Sequence, residues 1–521
     1  MTDRAPAPRR WVGGTPTAGA SLTRLSRRSL LASAGALSLG PLAGCSGLVG
    51  AGGNATRSGG NATGTAPPTG TPDGAVDVTP GRASVGDSVV VSGSGLPASA
   101  SLQLTWQRVT GHWVIQQQST VVGAEYTTAA EPLGTVRTDT DGTFHTTVTV
   151  PEDHGGDHDV GVARGGTTLA STSLHVTPTF TLDRTSAPLG EAFTLRVTGM
   201  PASKYRRVDQ VLWDDRFTGL VTGVTNRGTV RAKVPAAGPP GRHVLELGGG
   251  YEGVTYLNPQ QSPYPRPFRY ANWTVTVEPA TGSAGDAWRR PTATERPIEA
   301  FYPPIDPPLG QLSVTPTSGV VGSAATLAGT GLPANRSLTL EWATMTGSRV
   351  SGNGFTRTTR PLTTVETDAN GAFSTAMTVP DDLGGTHPIV ATAGGDRLAA
   401  TGFVIRPSIA GFGPASGPVG TPIDVHLKGV GWTEYDNIYA VTYDDAFVGY
   451  GCGFNTGGDV QMQFRAAGEP GLHVINCFPA LYKAPDESRQ VGFYTKPQLT
   501  FLDDHPVRPL PELGFLFEVT G

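Results

Sequence analysis

The chain has 521 residues, too many for one hydrophobic core, and usual domain sizes divide it into about three to five units. Its 71 glycines and 44 prolines are the punctuation of many short strands and turns, which excludes a fold built on long helices. Basic and acidic side chains number 38 and 43, and a net charge of −5 leaves no basic face to follow a phosphate backbone, so nucleic acid is excluded as a partner.

Residues 1–45 read as a targeting segment rather than a folded one. The stretch Ser26 to Leu31 (SRRSLL) resembles a twin-arginine export motif with Arg27 and Arg28 as its pair. The Ala/Gly/Leu run behind it is too short and too weakly apolar to span a bilayer. Leu42-Ala43-Gly44-Cys45 resembles a bacterial lipobox. That resemblance makes Cys45 the first residue of the mature chain and the acceptor of acyl chains that anchor it to a membrane surface. The Phe and Lys that usually follow the arginine pair are missing, so an ordinary secretory route stays open. Residues 46–75 are Gly, Thr, Ala, Asn and Pro with little charge and nothing bulky, a flexible tether reaching roughly 30 Å by random-coil statistics.

From Val76 the pattern becomes short apolar-alternating runs between turn residues, such as Ser88 to Ser92, Ser101 to Trp106 and Thr146 to Val150, as in β-sandwiches. The stretch from Val78 to Trp106 returns from Val314 to Trp342 at an offset of 236 (316 minus 80), which marks an internal duplication. Thr138-Asp139-Thr140-Asp141-Gly142 returns as Thr367-Asp368-Ala369-Asn370-Gly371, and the Asp-Gly and Asn-Gly steps predict hairpin turns. The offset there is 229 (367 minus 138), so the first copy is longer in the Gln116 to Glu131 region, where a surface loop is expected.

A second kind of unit starts near Pro178. Pro188-Leu189-Gly190, Trp213-Asp214-Asp215 and Gly241-Arg242-His243 return as Pro418-Val419-Gly420, Tyr443-Asp444-Asp445 and Gly471-Leu472-His473 at an offset of 230 (418 minus 188). The expected order is therefore domain A1 (76–177), domain B1 (178–279), a Pro-rich semi-rigid linker (280–311), domain A2 (312–407) and domain B2 (408–521). Each unit carries Gly-x-His before an apolar strand, at His158, His243, His387 and His473. Immunoglobulin-like folds place there a corner residue that bonds back to the backbone, and these histidines are read as that corner.

With these motifs in hand, the A units resemble bacterial immunoglobulin-like modules of the IPT/TIG kind, and also the neocarzinostatin-type sandwich. The carriers are VTP, the G-x-G-L-P turn and T-D-x-[DN]-G-x-F before a strand ending in Val-Pro. The resemblance covers 78–177 and 314–406 well and the B units more loosely. It implies an all-β chain of four tandem immunoglobulin-like β-sandwiches in an A-B-A-B duplication. The A units lack the cysteines of the neocarzinostatin group, so no chromophore-carrying role follows.

Candidate sites are few. Cys452 and Cys477 remain once Cys45 is assigned to lipid, and in an exported chain a disulfide between them is expected, adding roughly 3 to 4 kcal/mol. Asp214-Asp215 and Asp444-Asp445 are repeated acid pairs, but successive strand residues point to opposite faces, so a hairpin turn is the better reading. His154 and His158 have a spacing that suits Zn²⁺, yet the second copy has Leu383 in place of His154, so neither metal nor any other cofactor is expected. No Gly-x-Ser-x-Gly elbow, HExxH helix or usable Cys/His pair signals an enzyme. The late insertions of the B units carry aromatics instead: Tyr251, Tyr256, Tyr264, Phe268 and Tyr270 in B1, and Phe478, Tyr482, Phe493 and Tyr494 in B2. Rigid rings on long loops suit recognition of a protein or glycan. The expected function is thus a non-enzymatic, lipid-anchored binding or adhesion module using the B loops, with a ligand-free spacer as the alternative and an envelope hydrolase behind both.

Overall fold

A computed structural model describes residues 74–521 apart from 117–118, 203–206, 252–253, 256–268, 291–307, 349–353, 454–455 and 483–494. Domain A1 holds β1 (Ala75–Thr79), β2 (Arg82–Ser84), β3 (Ser88–Ser94), β4 (Ser101–Gln116), β5 (Thr120–Arg137), β6 (Phe144–Thr149), β7 (Gly156–Arg164) and β8 (Thr167–Thr177). B1 holds β9 (Thr179–Leu182), β10 (Ser186–Pro188), β11 (Ala192–Thr198), β12 (Arg207–Trp213), β13 (Arg216–Val221), β14 (Val230–Pro235), β15 (Gly241–Tyr251), β16 (Val254–Thr255) and β17 (Arg269–Glu278), and β18 (Ala287–Arg290) follows it. A2 holds β19 (Gln311–Thr315), β20 (Ser318–Gly319), β21 (Ala324–Thr330), β22 (Ser337–Ser348), β23 (Gly354–Glu366), β24 (Phe373–Thr378), β25 (Gly385–Ala393) and β26 (Asp396–Ile405). B2 holds β27 (Ser408–Gly413), β28 (Ser416–Pro418), β29 (Pro422–Lys428), β30 (Ile438–Tyr443), β31 (Ala446–Cys452), β32 (Val460–Arg465), β33 (Gly471–Ala480) and β34 (Glu512–Thr520).

All four domains repeat one topology. A three-stranded sheet (β1-β3-β6 in A1) packs on a larger one (β2-β8-β7-β4-β5), and a short second strand pairs in parallel with the last strand in every copy. This is the immunoglobulin-like sandwich. The alternation in the sequence sets which side chains are inside. Val89 and Val91 of β3 meet Leu102, Leu104 and Trp106 of β4 in the A1 core, while the residues between them are partly exposed.

The repeated turns divide into two kinds. Asp214-Asp215 and Asp444-Asp445 all have positive φ (49°, 62°, 46° and 58°), as a two-residue hairpin turn demands, and they join β12 to β13 and β30 to β31. The Asp-Gly step of the A units is different from expectation. It carries the chain from β5 in one sheet to β6 in the other, and only Gly142 is left-handed (φ 74°). The Asp139 carboxylate accepts from Asp141 N and Thr143 N (3.0 and 2.8 Å) and closes the turn. A Cβ on Gly142 would sit 2.1 Å from the Leu96 carbonyl oxygen, which explains why G-L-P and D-G recur together.

Domains are joined closely. Gly155 N donates to Met200 O (3.1 Å) at the A1–B1 joint, and Gly384 N donates to Val430 O (3.0 Å) at the A2–B2 joint. B1 and B2 then pack on each other: Val474, Phe478, Leu499 and Leu516 of B2 join the apolar cluster of B1, and Phe217 meets Phe447 edge-on at 6.2 Å. The segment before β34 clamps the edge of B1. Leu220 N donates to Pro497 O (2.8 Å), Leu499 N to Leu220 O (2.9 Å), and Val224 N and Thr225 N to the Asp504 carboxylate (2.8 and 2.9 Å).

Three expectations change here. The stretch from Gln116 to Glu131 is no simple surface loop: it belongs to a long β4–β5 hairpin whose Trp113, Val121 and Ala124 are buried with Leu220, Tyr435 and Phe501. Ser119 and the start of β5 are tied to B2, because Val121 N donates to Glu434 Oε2 (2.9 Å) and Glu434 N to Ser119 O (2.8 Å). The linker is not wholly a spacer, since β18 pairs antiparallel with β34 and extends the B2 sheet. No disulfide joins Cys452 and Cys477. They lie on strands flanking β30, opposite Ile438 and Val441, so two strand spacings of about 10 Å separate them, beyond the roughly 7 Å a disulfide spans. Cys477 also faces the B2 core, whereas Cys452 shares the outer face with Ile438.

Candidate functional site

One polar cluster recurs in all four domains, at the histidine corners. In A1, His158 stacks on Trp106 at 4.6 Å, its Nε2 donates to the His154 carbonyl (2.7 Å), and Nδ1 lies 2.8 Å from Gln107 O. In A2, His387 stacks on Trp342 at 4.6 Å with Leu383 O and Ala343 O in the same places (2.7 and 2.9 Å). Burial pushes the His387 imidazole below its usual value. In the B units, His243 and His473 likewise donate to the carbonyl four residues earlier, while Nδ1 meets Asp214 or Asp444 (2.7 and 2.6 Å). Burial opposes charge on His473, but the Asp444 carboxylate outweighs it and the net value is raised. With both ring nitrogens engaged, these histidines bond back to the backbone as corner residues and have no lone pair to offer a metal or substrate.

The acid beneath each A-unit tryptophan escaped the sequence reading. Asp153 accepts from Trp106 Nε1 (2.8 Å) and Asp382 from Trp342 Nε1 (2.9 Å), and Asp382 further accepts from Thr344 Oγ1, Leu383 N and Arg360 Nη2 (2.7, 2.9 and 2.9 Å). The offset of 229 aligns the two acids, so the duplication itself carried the signal. His154 turns its Nδ1 to Met200 O (3.2 Å) at the A1–B1 joint, and burial lowers its pKa. It does not converge with His158 on a metal. Among the described residues no three His, Cys, Asp or Glu side chains are grouped to hold one.

The predicted aromatic residues separate. Phe478 is buried at the B1–B2 contact, and Tyr482 is half-buried against Ile438, Ala440 and Ala480, so both serve the internal packing rather than an open loop. Tyr251 and Tyr270 place their backbones in β15 and β17. Tyr256, Tyr264, Phe268, Phe493 and Tyr494 lie outside the described residues, as do Arg27, Arg28 and Cys45. The exposed large apolar side chains among the described residues are Val244, Leu309, Val419, Val448 and Tyr450, and two of them, Val448 and Tyr450, each 52% exposed, share one strand, β31. Tyr450 pairs with Ala440 and so stands on the outer face of the B2 sheet. Among the described residues no strand pairs with the far edge of β31, while the corresponding edge of β13 is covered by the clamp at Leu499. No periodic signal distinguishes these two edges, because what covers one of them comes from the other domain.

No family model and no curated protein matches the chain. Solved structures match at the level of weak likeness. The ICAM-5 D1–D4 ectodomain fragment is 14% identical over 79% of this chain and 96% of its own, with a TM-score of 0.17. The Yersinia pseudotuberculosis adhesin InvE is 13% identical over 65% of this chain and 60% of its own, at 0.14. Murine CEACAM1b is 12% identical over 40% of this chain and 100% of its own, at 0.13.

Proposed function

We propose that the chain is a non-enzymatic binding protein, exported and held at a bacterial membrane surface through Cys45, that recognises a protein partner through the outer edge of B2. The observation that carries this is β31: among the described residues it is the last strand of the B2 sheet, its Phe447 end rests on B1, and beyond that contact it presents two half-exposed large apolar side chains, Val448 and Tyr450. Such an edge accepts an extended segment of another chain by β-augmentation, with the backbone giving affinity and the apolar side chains selecting the partner. A partnerless spacer fits less well, because four domains clasped through B1 and B2 forgo the reach that a spacer needs.

The test is capture from envelope extract, protein and glycan fractions together, on the intact chain and on a Val448→Ser/Tyr450→Ser variant. Retention of one protein by the intact chain and its loss by the variant is the expected result. Equal retention by both removes β31 from the reading, and retention of nothing by either favours the spacer.

A further inference from the structure

Three arginines from separate segments converge where A2, B2 and the linker strand meet: Arg289 on β18, Arg406 just after β26, and Arg508 on the segment before β34. Burial and the like charges of Arg289 and Arg508 depress the Arg406 guanidinium, and Arg289 and Arg508 also act, with Asp436, on the phenol of the buried Tyr439. Arg508 reaches Asp436 Oδ2 at 3.6 Å and Thr386 Oγ1 at 3.4 Å, and Arg406 donates to Ser318 Oγ at 2.6 Å. Arg289 is different. Its Nε and Nη2 are buried and meet no acceptor.

Those two nitrogens form one edge of the guanidinium, the edge whose N–H bonds run parallel and match two oxygens of a carboxylate or phosphate. Leaving that edge dry and unpaired costs free energy, and placing two further cations beside it costs more. The fold does not require the arrangement: the position equivalent to Arg406 in the first half is Thr177 (406 minus 229), in a sandwich of the same topology. We infer that Arg289, Arg406 and Arg508 form a binding site for an oxyanion, a phosphate or carboxylate group, seated against the Nε–Nη2 edge of Arg289.

The test is titration calorimetry of the full chain with inorganic phosphate and, separately, with acetate, at constant ionic strength and with chloride as control. Saturable binding of either anion is expected, and the preferred one gives the chemical class. Arg289→Met should weaken it at least about tenfold. Arg289→Lys keeps the charge but not the parallel N–H pair, so it should also weaken binding, and it decides the matter if the methionine variant does not fold. No saturable heat with either anion, an equal response to chloride, or wild-type binding by a folded Arg289 variant would overturn the site.

Discussion

The clasp between B1 and B2 should weaken as pH rises, and Asp503 allows the effect to be sized. Its side chain is 10% exposed, Arg231 Nη1 is 3.9 Å away, and its neighbour Asp504 holds Val224 N and Thr225 N of B1. Burial first, and then the Asp504 charge, push the Asp503 carboxyl from its ordinary 3.8 up to about 7. An acid raised in this way holds its proton more tightly in the closed state. The clasp is therefore at full strength below about pH 4, loses strength as pH rises to about 7, and is constant above. At about 1.4 kcal/mol per pH unit, the interval from 3.8 to about 7 corresponds to about 4 kcal/mol. Asp503→Asn cannot ionise and should remove that loss. Hydrogen exchange at residues 218–230, corrected for the intrinsic rate, measures the local opening. The variant should be better protected than the parent at pH 8 and nearly equal to it at pH 4. Parallel pH dependence in the two proteins would refute the reasoning.

Three further outcomes follow from the polar clusters and the cysteines. Asp382→Ala leaves Trp342 Nε1 and Leu383 N without their acceptor, so a loss of about 1 to 3 kcal/mol in urea unfolding is expected, and an unchanged midpoint would contradict the role given to the acid. Burial, then the Glu512 charge, push the Cys477 thiol up to about 12, so iodoacetamide at neutral pH should leave it unmodified in the native chain. Mass spectrometry of the intact chain with and without reductant should give one mass, and two hydrogens fewer without reductant would mean the disulfide exists after all.

The sandwiches were legible because their signals are local. Leu102 and Leu104 alternate with Gln103 and Thr105, Asp214-Asp215 adopts the turn it encodes, and Gly-x-His finds the carbonyl four residues back. What failed depended on distance. Cys452 and Cys477 are close along the chain, but strand order places β30 between them, and strand order leaves no trace in periodicity. The burial of Phe478 was missed although β33 shows it: from His473 to Ala480 the strand is buried on both faces, where a half-exposed strand would alternate. Arg289 gave no signal, since its surroundings come from residues more than a hundred positions away.

Phe217 and Phe447 are the same residue of the repeat (447 minus 217 is 230), and they touch each other. One position of the repeat therefore faces itself across the clasp, although the rest of the contact is not reciprocal: Val474 is buried in it while its counterpart Val244 is exposed. Tethering makes such a pair indifferent to dilution, because the effective concentration of one half at the other is set by the chain and not by the solution. It also releases the halves from having to stay identical. The second half alone carries Cys452, Cys477 and Arg406, where the first has Thr222, Leu247 and Thr177, so one copy could keep the contact while the other changed its chemistry.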